Sequence, residues 1–91
     1  MERIEEQIIV KKTHGLHARP ATIFVQLANK FDSSVKVEKD GEIVDGKSIM
    51  AILSLGINTD VKIRLITEGH DAQEAMADLR NFLIKDEDDD D

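Results

Sequence analysis

Gly15-Leu16-His17-Ala18-Arg19-Pro20-Ala21 is the stretch from which the rest of the chain can be placed. Gly15 frees the backbone before a turn, and Pro20 suits the first turn of a helix, where a missing N–H costs nothing. Beyond it, Ala21, Phe24, Val25 and Ala28 recur at the i, i+3, i+4, i+7 spacing of one buried helix face, which Leu27 and Phe31 widen. A helix therefore starts near Pro20, and His17 stands at or just before its N-terminus. Upstream, Ile4 to Lys11 contains Ile8-Ile9-Val10 and reads as a strand, with Thr13 to Leu16 as a short loop.

Working outward, Val35 and Val37 alternate with Lys36 and Glu38, the period of a half-buried strand. Asp40-Gly41 signals a two-residue hairpin, with Glu42 to Asp45 as the returning strand. Ser48 is placed to cap a short helix carrying Ile49, Met50, Ile52 and Leu53, and Gly56 to stop it. Val61, Ile63 and Leu65 alternate with Lys62 and Arg64 as a fourth strand. Asp71 and Glu74 resemble a capping box, and Ala72, Ala75, Met76, Leu79 and Leu83 form the apolar stripe of a last helix. The order is βαββαβα. Alternating strands leave one sheet face wet and the other for helices, so the expected class is α+β with an antiparallel sheet.

Ninety-one residues with no repeat or linker suit one domain, expected at residues 1–84. Residues 85–91 hold Lys85 and six acids, a like-charge tail expected to be disordered, and account for −5 of the net charge of −7. The balanced body, with 3% aromatics, lacks the basic footprint of a nucleic-acid binder. No apolar run approaches the roughly 20 residues of a membrane span. Arg3, Glu5 and Glu6 interrupt the N-terminus against a secretory signal. The absence of cysteine fits a reducing compartment. A soluble cytoplasmic protein is expected.

The chemistry concentrates at His17. Helix-terminal N–H groups, here those of Ala18 and Arg19, have no intrahelical acceptor, and the dipole adds partial positive charge. Such a terminus attracts anions, and the Arg19 guanidinium can hold phosphate oxygens. Nearby positive charge should keep the imidazole neutral and nucleophilic, and then stabilise a phosphoryl group attached to it. Phosphoryl transfer needs mostly positioning and charge stabilisation, which a partner's site can complete. His14 and His17 lack a third His or Cys nearby for zinc, and His70 reads as a loop residue. Residues 41–48 satisfy the G-x-x-x-x-G-K-[ST] pattern of a nucleotide-binding loop. The hairpin signal, the strand inside the match and the short following helix argue for coincidence.

The chain resembles HPr, the histidine phosphocarrier family of the bacterial sugar phosphotransferase system. The similarity runs from about Ile8 to Leu83. It rests on Gly-Leu-His-Ala-Arg-Pro-Ala at 15–21 and on Lys-Ser-Ile-Met at 47–50 followed by Ser-Leu-Gly-Ile at 54–57. The resemblance implies an open-faced β-sandwich, a four-stranded antiparallel sheet with three helices on one face, and a monomer without cofactor. It implies that His17 takes a phosphoryl group on Nδ1 from enzyme I, itself charged from phosphoenolpyruvate, and passes it to the A-type domains of the enzyme II permeases. Such a carrier is not itself an enzyme.

The second motif resembles the regulatory serine site of HPr proteins from low-GC Gram-positive bacteria. There an HPr kinase/phosphorylase acts, and the modified form binds a catabolite-control transcription regulator in some organisms. A phosphate on Ser48 would bring about −1.5 to −2 charges to a helix N-terminus beside Ile49, Met50 and Leu53, the expected partner-docking patch. Three rivals follow. One is a regulatory paralogue acting mainly through phospho-Ser48, although paralogues of that kind lack the histidine. Another is a carrier of the related nitrogen branch. The last is a nucleotide-binding enzyme using residues 41–48.

Overall fold

The computed structural model describes residues 2–85. Its elements are β1 (Glu2–Ile9), α1 (Ala18–Ala28), β2 (Ser34–Lys39), β3 (Glu42–Asp45), α2 (Ile49–Ser54), β4 (Lys62–Gly69) and α3 (Ala72–Ile84). The strands form one antiparallel sheet in the order β1-β4-β2-β3, and the three helices cover one of its faces, giving the α+β open-faced sandwich.

Asp40 and Gly41, at φ of 52° and 86°, both take the left-handed conformation that a tight hairpin between β2 and β3 demands. Ile8, Val35, Val37, Ile63 and Leu65 project inward to meet Ala21, Phe24, Ala28, Ile52, Met76, Leu79 and Leu83 from the helices. On the opposite face Arg64 joins β1 to β2 by ion pairs with Glu5 and Glu38, so alternation sorts charge from core across neighbouring strands.

Several boundaries differ from expectation. β1 ends at Ile9, since Val10 leaves the strand to bond with the segment before β4. α1 stops at Ala28, and Phe31 lies in the following turn rather than on the helix face. β4 continues past Leu65 to Gly69, pairing there with Glu5 back to Glu2 of β1; Thr67 and Gly69 keep the buried alternation, and Ile66 is buried out of phase with it. The capping box at Asp71 does not form. Asp71 occupies the N-cap, but its carboxylate accepts from the backbone amides of Asp32 and Ser33, each at 2.9 Å, and from the Ser33 hydroxyl. A distant loop has outcompeted its own helix for that side chain.

The nucleotide-loop match falls across the hairpin turn, β3 and the entry to the six-residue α2, which is the placement expected of a coincidence. α3 runs to Ile84, and the acidic tail beyond Lys85 lies outside the described residues. No helix among the described residues is long and apolar enough to cross a membrane.

Candidate functional site

The segment from Val10 to His17 is pinned on two sides. Val10 donates to Val61 O at 2.9 Å and receives Asp60 N–H at 2.7 Å, while Lys11 N–H reaches Leu83 O near the end of α3 at 2.8 Å. Lys12 is only 2% exposed, and its ammonium lies 3.9 Å from the centroid of the Phe82 ring. A buried cation over an aromatic face exploits the ring quadrupole. Gly15 N–H then closes a turn onto Lys12 O at 3.0 Å, and Leu16 N–H donates to Ile57 O at 2.8 Å.

Gly15 has φ of +70°, and a Cβ there would sit 2.2 Å from Ile57 O. Only glycine admits both the conformation and that approach. The next side chain, Leu16, is fully buried. Two residues without freedom therefore present a third, His17, which is exposed.

His17 is the N-cap of α1, extended at φ −121° and ψ 156°, yet its side chain makes no capping bond. Nε2 lies instead 3.1 Å from Asn58 Oδ1, on the segment between α2 and β4. Ala18 follows at φ 47°, a strained conformation for any residue with a Cβ. The helical ladder opens with Ala21 N–H donating to His17 O at 3.5 Å, while the Thr22 hydroxyl donates to Ala18 O at 3.2 Å. The amides of Ala18 and Arg19 thus precede the first helical bond, where the dipole leaves partial positive charge. Arg19 is exposed on the same turn. The exposed His17 and Arg19 thus stand within three consecutive residues at the first turn of α1.

Ser48 begins α2, and its hydroxyl oxygen accepts from Ala51 N–H at 3.2 Å. Behind it, Ile49 packs partly against the core, whereas Met50 is 73% and Leu53 39% exposed. Asn29 Nδ2 donates to Lys47 O at 3.1 Å and Lys47 Nζ to Phe31 O at 2.7 Å, tying the end of α1 to the start of α2. Lys39 Nζ donates to the carbonyls of Leu55 (2.9 Å) and Gly56 (3.4 Å) at the other end of α2.

His14 is exposed in the pinned loop. His70 is held 2.9 Å from Asp32 Oδ2, a hydrogen bond that raises its pKa above the usual histidine value, aided by the charge of Asp71. Hydrogen bonds from the Ser33 hydroxyl and the amides of Asp32 and Ser33 pull Asp71 down to about 2. Asp32, His70 and Asp71 lie close enough to share a cation, but both Asp71 oxygens already accept hydrogen bonds, so the group acts as a clasp between loops. Sequence reasoning missed Asn58 and Lys12. Asn58 directly follows the Ser-Leu-Gly-Ile block, the one signal that could have drawn attention to it.

The family profile described as the PTS HPr component phosphorylation site matches residues 4–85. The chain belongs to the HPr family, whose members are phosphocarrier proteins rather than classical enzymes. It is 52% identical over 82 residues to the HPr-like protein Crh of Halalkalibacterium halodurans, covering 90% of this chain and 98% of that one. The structure of the phosphocarrier protein HPr from Bacillus anthracis matches with a TM-score of 0.88 and 44% identity, over 89% of this chain and 96% of that one. A structure of the Bacillus subtilis catabolite repression protein Crh, described as a dimer with a swapping domain, matches with a TM-score of 0.74 and 42% identity, over 91% and 95%.

Proposed function

We propose that this protein is a cytoplasmic phosphocarrier, in which His17 takes a phosphoryl group from phospho-enzyme I on Nδ1 and hands it to the A-type domains of enzyme II permeases. The observation that carries this reading is an exposed histidine at the open turn of α1 whose side chain is not used to cap the helix. As Nδ1 attacks, the bond from phosphorus to the donor breaks and the Nδ1–P bond forms. The guanidinium of Arg19 and the amides of Ala18 and Arg19 then balance the phosphoryl charge by charge-assisted hydrogen bonds.

Met50 and Leu53, flanked by Ile49, offer partners an apolar surface. Phosphorylation of Ser48 by an HPr kinase/phosphorylase would set negative charge beside it and weaken docking. Residues 1–84 act as the working unit, a monomer needing no cofactor, with 85–91 as an appendage.

The test is incubation with phosphoenolpyruvate and enzyme I, followed by intact mass. An acid-labile phosphoryl adduct on the wild type and none on His17→Ala is the expected result. No adduct with a demonstrably active enzyme I defeats the reading.

The 52% identity to Crh favours a second reading, a regulatory paralogue acting through phospho-Ser48 on a catabolite-control transcription regulator. His17 weighs against it, since the resemblance implies that such paralogues lack the histidine. Modification by the kinase and ATP, together with no adduct from enzyme I, would put this second reading first.

A further inference from the structure

His17 is tethered at one ring nitrogen. Its Nε2 meets the side-chain oxygen of Asn58, 41 residues further on, at 3.1 Å. An amide oxygen can only accept, so this bond selects the tautomer protonated on Nε2 and leaves the lone pair on Nδ1. Asn58 is itself well placed. The Ile57 carbonyl before it receives Leu16 N–H at 2.8 Å, and its own carbonyl receives Val61 N–H at 3.4 Å. A Cβ on Gly15 would lie 2.7 Å from Asn58 Cα, so the backbones carrying the two partners run against each other. The tether therefore spans a short distance between two fixed segments.

We propose that Asn58 is a positioning residue for phosphoryl transfer, holding the His17 ring so that Nδ1 faces the incoming phosphorus and accepting from Nε2–H before and after the transfer. The proposal rests on the carrier reading of His17. In the step, the Nδ1 lone pair attacks phosphorus, the Nδ1–P bond forms and the bond to the donor breaks. The Nε2 proton stays where it is. The ring then carries a delocalised positive charge, which the Asn58 carbonyl oxygen faces. On transfer to the next protein the N–P electron pair returns to the ring. No proton enters or leaves the imidazole in either direction, so no general base is required.

Imidazole nitrogen shifts of 15N-labelled protein test this directly, read at a pH where the ring is neutral. The wild type is expected to show a protonated Nε2 and a bare Nδ1. In Asn58→Leu both signals should move toward the averaged values of free imidazole, and phosphorylation by enzyme I should slow about tenfold, the loss of one hydrogen bond to a charged group. Asn58→Asp keeps an acceptor and should retain the wild-type nitrogen pattern. Backbone amide spectra identify variants that fold normally. Unmoved nitrogen shifts and an unchanged rate in Asn58→Leu overturn the proposal, as does Asn58→Asp behaving like Asn58→Leu. The shifts need no phosphoryl donor, so they judge Asn58 even where phosphorylation fails. A wild type that active enzyme I never phosphorylates defeats the carrier reading itself.

Discussion

Two helix starts in this molecule share a backbone shape and use their side chains in opposite ways. His17 and Ser48 are both extended N-caps, at φ −121° and −110°. Ser48 turns its hydroxyl back to Ala51 N–H and stabilises its own helix. His17 turns its ring away to Asn58 and leaves α1 uncapped. Modifying Ser48 therefore disturbs a bond that the fold uses, whereas modifying His17 removes no cap. The stability absent from the His17 side chain is supplied by its neighbours, through Gly15, the buried Leu16 and the pinned Lys12.

The largest expected effect that would test this contrast is from His17→Ala. Adduct formation should vanish in intact-mass measurement, while urea unfolding should shift by no more than about 0.5 kcal/mol, as for an exposed side chain. A larger loss of stability would break the comparison, because it would show His17 supporting the fold. Gly15→Ala attacks the support instead. It should destabilise the protein by about 3 kcal/mol, measured by urea unfolding, since the new Cβ meets the Ile57 carbonyl in a left-handed conformation. On the Ser48 side, Met50→Asp should raise the KM for enzyme I about tenfold with melting unchanged, as expected for an exposed docking contact. Ser48→Ala should cost about 1 kcal/mol of stability and leave the rate of His17 phosphorylation as it was.

The smallest effect concerns the third N-cap, Asp71. Its folded pKa of about 2 lies below the ordinary aspartate value of 3.8, so its contribution is full above the higher value and is lost as the pH falls toward the lower. Asp71→Asn should flatten that acid limb in urea midpoints measured across the same window. His70 has the opposite sign. Its raised pKa makes its contribution complete below 6.5 and lost as the pH rises through the folded value, a slope that His70→Gln should remove.

Local patterns carried most of the fold. Asp40-Gly41 announced its hairpin, and the helices followed their apolar stripes, because turn chemistry and periodicity act between near neighbours. The His17 turn was legible for the same reason, since Gly15, Arg19 and Pro20 all lie within one short segment. What escaped depends on distance along the chain. Asn58 meets His17 only across the two helices and two strands that separate them in the chain, and Asp71 leaves its own helix for a loop at residues 32–33. Lys12 looks like a surface lysine until α3 brings Phe82 beneath it. Phe31 kept the helical spacing but fell beyond the end of α1, in a turn where its N–H reaches Ala28 O at 3.3 Å, three residues back instead of four.

The strand order has a consequence for the birth of the molecule. Ile9 pairs with Lys62 and Glu2 with Gly69, so β1, made before the other three strands, has no sheet partner until β4 has followed. The β2–β3 hairpin can close early from local sequence, but β1 must wait. During that wait Ile4 and Ile8 face water, and a neighbouring nascent or refolding chain that exposes β4 offers them the same register as their own. The concentration at which the chain refolds should therefore influence which copy of β4 the first strand finds.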